Sequence, residues 1–392
     1  MPKRDLMIYN ISLKISVIAT ALWSGTLAVL LTDIINTYSL VGTREGLMSS
    51  MISIGALVAL LFIVFFHGKL KKAQILIVCG VLTSVVLITQ GISMPFAMFL
   101  VACFVMGFGH GATDSTQSAF LADLNRGNTA KHMGALHGIF GIGGVLTPIL
   151  LHELLKSYEW HTIYYIVGII CLVLMMQFAV VTRFMKEKVS GASRIEPKLT
   201  AVGIKEFFGS KQSIFLLFTI FFGAAAQSGI IIWTIRYVSV SLDSPDIAAI
   251  CLSVFWITST VSRFASPQLP FKPSQVIAFG AFVSAITWLA ALMINQPLGI
   301  CIACGITGLV SGSCIPMSLS EGAAINPEKT GFSTSILMIF KTIGQILSPI
   351  VVAFVMSLGN MQTGMYITSV FFAINGIFAI LMIFKKILIE RR

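Results

Sequence analysis

Charge is what this chain lacks. Asp, Glu, Lys and Arg make up 10% of its 392 residues, while 56% are hydrophobic; a soluble domain carries about a quarter charged residues. A chain this poor in charge has too few solvated side chains to coat a soluble surface. Long polar segments are also scarce, and only 183–211 qualifies. The signatures of several chemistries are missing. There is no Walker A loop, which excludes an ATP-driven pump. There is no nucleophile elbow, HExxH pair or dinucleotide fingerprint, which argues against an enzyme. The glycine-rich stretch GIFGIGGV (138–145) follows no strand and lies in an apolar run, so it does not cradle a phosphate. All seven cysteines fall inside apolar runs. Cys301-x-x-Cys304 matches half of a redox or zinc motif but has no second ligand pair, and it reads as two small buried residues. His110 and His137 have no Cys or carboxylate at ligand spacing, so neither metal nor cofactor is expected.

What the chain has instead is long apolar runs. Twelve are expected to span a bilayer: 12–38, 44–66, 73–91, 94–122, 132–155, 160–182, 213–240, 244–265, 273–294, 297–320, 332–357 and 361–386. A hydrocarbon core of ~30 Å takes about 20 helical residues. The first run is too long for a cleaved signal and no small-residue cleavage pattern interrupts it, so it reads as a retained span. The net charge of +11 does not indicate nucleic acid. Of the 26 Lys and Arg, all but Arg44, Lys156, Arg236 and Lys341 fall on the side of the two termini and of the loops that follow even-numbered spans. The positive-inside rule makes that side cytoplasmic. The expected protein is therefore an all-α, multi-pass protein of the cell inner (plasma) membrane, with both termini cytoplasmic.

The polar segment divides the chain into a bundle of six helices at 1–183, a cytoplasmic linker at 184–211 with a short surface helix near 201–208, and a second bundle at 212–392. The halves repeat. Residues 106–150 lie over 307–351 without a gap, at an offset of 201, with 11 of 45 positions identical. The identities include Gly107/Gly308, Gly111/Gly312, Asn125/Asn326, Gly143/Gly344 and Pro148/Pro349. A parallel repeat of two six-span halves is a transporter architecture, with substrate held at the repeat interface near mid-membrane. The repeat also isolates its exceptions: Asp114 falls on Ile315 and Lys341 on Phe140.

Ionisable groups inside spans cost about 2.5–3.5 kcal/mol each on insertion scales, so each needs a reason. His110, Asp114 and Gln117 share one face of span four. A carboxylate there can carry a proton, or it can sit in a permanent ion pair. Asp33 and Arg236 occupy near-equivalent depths in spans one and seven. They would form a gate pair or contact substrate, or each would snorkel separately. Lys341 heads a stripe with Gln345 and Ser348, and either holds an anionic substrate or neutralises an internal carboxylate. His137 shares a face with Gly134, Gly141, Gly144 and Pro148 that suits close helix packing, and a contact with the cavity is its second reading.

Several of these segments resemble the major facilitator superfamily, and within it the fucose-permease-like sugar–proton symporters. TDIIN (32–36) is similar to that family's first carboxylate segment and GATDSTQSAFLADL (111–124) to its acid-Thr segment. AAQSGIIIWTIRYV (225–238) is similar to its Gln-and-Arg segment, while VSRFASPQL (261–269) and IPMSLSEGA (315–323) resemble two further stretches. The resemblance implies that Asp114 accepts the proton, with Asp33 assisting. It places Gln227 and Arg236 at functional positions. Three departures stand out. Ser118 replaces an asparagine, HGKLKKAQ (67–74) lacks the usual aspartate, and Lys341 replaces a small residue. A cation at 341 suits a sugar acid.

The expectation is a monomeric, proton-coupled symporter of a small polar metabolite, a sugar or sugar acid, with its partners limited to substrate, protons and lipid. His110, Gln117, His137, Gln227, Trp233 and Gln345 would contribute hydrogen bonds and an aromatic face. Two rivals stand beside it. One is an antiporter exporting drugs or metabolites. The other is a non-transporting membrane sensor, for which the chain shows no soluble signalling domain.

Overall fold

A computed structural model describes residues 3–40, 47–66, 69–184 and 201–390. Among the described residues there is helix but no strand. Fourteen α-helices follow in order: α1 Lys3–Thr37, α2 Leu47–Phe65, α3 Lys72–Gln90, α4 Phe96–Leu124, α5 Thr129–Leu155, α6 Trp160–Phe184, α7 Ala201–Gly209, α8 Lys211–Arg236, α9 Pro245–Ala265, α10 Pro273–Ile294, α11 Pro297–Ser311, α12 Cys314–Ile325, α13 Thr330–Leu358 and α14 Met361–Glu390. Twelve of the resulting segments are long and apolar enough to cross a membrane, with α11 and α12 forming one of them. Three helices (α9, α10 and α11) begin on proline, whose missing N–H costs nothing in a first turn. The short α7 occupies the place expected for a surface helix; the linker's residues 185–200 lie outside the described residues.

The helices group into two compact units. Unit 1 is Met1–Gly127, Ile139–Lys198 and Glu328–Ser335; unit 2 is Asn128–Gly138, Leu199–Pro327 and Ile336–Arg392. The first turns of α5 therefore belong to unit 2 and the first turns of α13 to unit 1, whereas the sequence places each helix wholly in its own half. Each unit has an aromatic-rich core. Trp23, Phe99, Trp160 and Tyr164 fill the first, and Tyr237, Phe255, Trp288 and Phe372 the second. Outside the core the helices remain apolar: Ile169, Val173, Met176 and Val180 form an exposed stripe on α6, as a lipid-facing helix requires.

The repeat is visible in the packing. In unit 1, α2 packs on α4, α3 on α4 and α6, and α1 on α6; in unit 2, α9 packs on α11, α10 on α11 and α14, and α8 on α14. The repeated glycines do the same work in both. A Cβ on Gly107 would stand 2.0 Å from the Ile52 carbonyl oxygen, and one on Gly308 would stand 2.5 Å from that of Phe255. A Cβ on Gly143 would stand 2.2 Å from the Ala21 methyl, and one on Gly344 2.4 Å from the Phe221 carbonyl oxygen. Neither contact leaves room for a side chain, so these identities record backbone approach.

Candidate functional site

The site residues expected from the sequence divide between the two units: Asp33, His110, Asp114 and Gln117 fall in unit 1, and His137, Gln227, Trp233, Arg236, Lys341 and Gln345 in unit 2.

In unit 1, α1 and α4 are joined by polar contacts. Trp23 Nε1 donates to His110 Nδ1 at 2.9 Å, with the two rings edge to face. Because Nδ1 accepts, a neutral His110 carries its proton on Nε2. Gln117 is buried and held at both ends of its carboxamide. Its Oε1 accepts from Thr20 Oγ1 at 3.3 Å, and its Nε2 donates to Ser16 Oγ at 3.1 Å. Asp114 lies between these two residues on the same helix and is half-buried. The carboxylate thus stands on a frame whose neighbours are already fixed. Both ends of the Gln117 carboxamide are occupied by α1.

Asp33 is half-exposed near the end of α1. It lines a polar cavity of about 540 Å³ together with Thr37, Tyr158, Glu159, Trp160 and His161. Trp160 Nε1 donates to Thr37 Oγ1 at 3.0 Å and its ring stacks on His161 at 3.6 Å. Glu159 and His161 were not among the sequence candidates. They sit at the start of α6, where an apolar run begins, and only the folded loop beside α1 brings them to Asp33.

In unit 2 the dominant feature is a broken helix. The tenth span, expected to run unbroken over 297–320, stops at Ser311 and resumes at Cys314. Pro316 explains part of this. It has no N–H to give the carbonyl four residues earlier, that of Gly312. Arg263, buried at the end of α9, supplies a donor: its Nε lies 3.3 Å from the Gly312 carbonyl, and its Nη1 donates to the His137 carbonyl at 3.2 Å. Gln227 Nε2 donates to the adjacent carbonyl of Ser311 at 2.9 Å. Non-helical backbone inside a membrane protein is tolerated only where its polar groups are satisfied, and such breaks accompany binding sites in transporters. Arg263 was read from the sequence only as a loop residue. The signal that could have found it was Pro316 inside a span, which demands an outside donor.

The remaining candidates surround this break differently. Ser228 Oγ donates to the Gln345 carbonyl at 3.0 Å and Ser348 Oγ to the Ala225 carbonyl at 2.6 Å, which ties α8 to α13. Lys341 and Gln345 are half-buried on α13, and Arg236 is exposed at the end of α8. Trp233 Nε1 is a buried donor with no acceptor among the described residues. His137 is buried in a packing surface: a Cβ on Gly134 would meet the Arg263 carbonyl at 2.3 Å, and Gly138 lies against the Phe264 ring. Among the described residues no group of three or more His, Cys, Asp or Glu could hold a metal ion.

The sequence matches the model of the Major Facilitator Superfamily over residues 14–320. It is 22% identical over 253 residues to the Glucose/mannose transporter GlcP of Bacillus subtilis (strain 168), a match that covers 62% of each chain and so less than two thirds of that relative's length. Its fold is similar to the crystal structure of the transporter FucP in the outward conformation, with a TM-score of 0.75 at 16% identity, covering 96% of this chain and 99% of that one. It is similar also to the human organic anion transporter MFSD10 (TETRAN), with a TM-score of 0.74 at 13% identity, covering 97% of this chain and all of the other. The twelve spans, the parallel repeat and the match over residues 14–320 show that this chain belongs to the Major Facilitator Superfamily.

Proposed function

We propose that this transporter is a proton-coupled symporter of a small polar metabolite, a sugar or a sugar acid, working by alternating access in the cell inner (plasma) membrane with both termini cytoplasmic. The carrying observation is Asp114. It is a half-buried carboxylate on an apolar helix, flanked by His110 and Gln117, whose hydrogen bonds to α1 fix their positions. A carboxylate within an apolar span is costly to keep, and carrying a proton is the role this reading gives it. Sugar transport is supported by the kinship with a protein named a glucose/mannose transporter and by the fold shared with one named a Fucose:proton symporter. Trp233 Nε1, a buried donor awaiting an acceptor, suits a hydroxyl-rich ligand.

Uptake into proteoliposomes under an imposed proton gradient tests this reading. Asp114→Asn is expected to abolish accumulation against a concentration gradient while preserving exchange between preloaded and external substrate. Accumulation by the mutant at the wild-type level would show that Asp114 does not couple. The acidic-substrate arm rests on Lys341, half-buried on α13 and without counterpart in the repeat. Lys341→Gln is expected to weaken binding of a sugar acid by about 1.5–3 kcal/mol, the range of a charged hydrogen bond, and to leave a neutral analogue unaffected. If tight wild-type binding of a neutral sugar survives Lys341→Gln unchanged and no acid binds, the substrate is neutral.

A further inference from the structure

The fold completes what the isolated Cys301-x-x-Cys304 motif lacked. The thiol of Cys251 on α9 faces those of Cys304 and Cys301 on α11, two helices that pack directly on each other. The register accounts for it. Helices α9 and α11 run parallel, as alternate spans must. Cys251 lies six residues after the first residue of α9, and Cys301 and Cys304 lie four and seven after that of α11. At 1.5 Å per residue all three stand about 6–10 Å inside their helix starts. The two backbones approach closely just beyond, where a Cβ on Gly305 would reach Val254 Cγ1 at 3.1 Å and one on Gly308 the Phe255 carbonyl at 2.5 Å. Close backbones with facing thiols are what a disulfide needs, since its Cα atoms lie about 4.4–6.8 Å apart. All three thiols are reduced, with Cys251 and Cys304 buried and Cys301 partly exposed.

We propose that these cysteines form a thiol-oxidation site in which Cys301 meets a small hydroperoxide and Cys251 resolves it to a disulfide that ties α9 to α11. Burial protects Cys251 and Cys304 from direct attack, whereas Cys301 is open to an uncharged oxidant dissolved in the bilayer. The Cys301 sulfur attacks a peroxide oxygen, the O–O bond breaks, and the departing oxygen takes the thiol proton, leaving a sulfenic acid and one water (an alcohol, for an organic hydroperoxide). The Cys251 sulfur then attacks that sulfur. The S–O bond breaks and the oxygen leaves as water with the Cys251 proton. Two thiols lose two electrons and the peroxide gains them. Cys304 touches Cys251 and can then exchange onto it, releasing Cys301 as a thiol. The site lies at the start of α9, away from the basic end marked by Arg263; the orientation proposed above puts it on the outer, oxidising side. Only that placement, and not the thiol contacts, rests on the proposed orientation.

Full-length protein in nanodiscs is treated with hydrogen peroxide, denatured, alkylated at the remaining thiols and mapped by mass spectrometry. The expected product is a peptide pair linked through Cys251 to Cys301 or Cys304 and released by dithiothreitol, while Cys103 and Cys171 remain alkylated. Recovery of Cys251, Cys301 and Cys304 all as alkylated thiols, at peroxide levels that oxidise free glutathione, would overturn the proposal. Cys251→Ala should abolish the cross-link and leave Cys301 as an over-oxidised acid; a Cys301–Cys304 disulfide in that variant would show that Cys251 is not the resolving thiol. Should Cys251→Ala fail to fold, Cys301→Ala reads the same site: Cys251–Cys304 formation should slow at least tenfold, and an unchanged rate would contradict the entry role of Cys301.

Discussion

At the scale of single residues, the polar groups of the site fall into those already committed to the fold and those left over. Gln117 and Gln227 both looked like substrate ligands in the sequence. The structure commits the Gln117 carboxamide to Thr20 and Ser16 and the Gln227 nitrogen to the Ser311 carbonyl. Their partners come from other helices, so a single-helix pattern could not show which glutamines were taken. Trp233 is the opposite case, with a buried indole N–H and no acceptor among the described residues. Trp233→Phe removes that N–H, breaking no internal hydrogen bond, together with part of an indole that packs against the core of unit 2. Thermal unfolding in detergent should register the lost packing at about 0.5–3 kcal/mol, the ordinary range for a single substitution. Substrate affinity should fall by about 0.5–1.5 kcal/mol, the value of one neutral hydrogen bond. Equal affinity in isothermal titration would remove Trp233 from the site. Asp114 was legible for a different reason: a carboxylate in an apolar run is costly wherever the neighbours are, so composition alone singles it out.

At the scale of elements, the twelve spans were legible because hydropathy over about 20 residues measures the property the bilayer selects. The break between α11 and α12 was not legible, because both pieces are apolar and the hydropathy does not dip. Part of its cause is a single residue. Pro316 withholds one N–H, and Arg263 answers with a side chain 49 positions away from Gly312 in the chain. That dependence can be tested by restoring the missing donor. Arg263→Met should destabilise the protein by about 1.5–3 kcal/mol, since it removes a charged donor from buried carbonyls. Pro316→Ala returns an N–H to the helix and should be tolerated better in the Arg263→Met background than alone. The coupling between the two substitutions, read by thermal unfolding, is expected to reach 0.5 kcal/mol or more, as for residues that share a partner. Strict additivity would mean that Arg263 acts through partners other than the Gly312 carbonyl, such as the His137 carbonyl and the Trp256 ring.

At the scale of the whole molecule, the two units repeat the same helix packing, and the repeat extends to the first turns of α5 and α13, each of which groups with the unit opposite to the rest of its helix; that of α13 belongs to unit 1. There Lys72 pairs with Asp123, Lys72 Nζ donates to Thr330 Oγ1 at 2.6 Å, and Thr330 Oγ1 donates to Asp123 Oδ1 at 2.9 Å. The charged side chains are only 7% and 9% exposed. Removing one member of a buried ion pair costs about 3–5 kcal/mol because the other charge is stranded, so Lys72→Met and Asp123→Leu should each unfold far below the wild-type temperature. The double variant strands nothing and should recover most of that loss. Thr330→Val is the more telling change. It leaves Lys72 and Asp123 to satisfy each other and takes away one of the hydroxyls that hold the start of α13, the other being Ser335, which bonds Ser115 Oγ at 3.0 Å. Stability should then fall by no more than about 1–2 kcal/mol, whereas an alternating-access cycle that releases this first turn would feel the loss in its rate. Uptake rate should therefore shift several-fold while Lys72 and Asp123 remain paired. A Thr330→Val protein with wild-type uptake kinetics would show that the first turn of α13 stays seated throughout transport, and that the release step lies elsewhere in the helix.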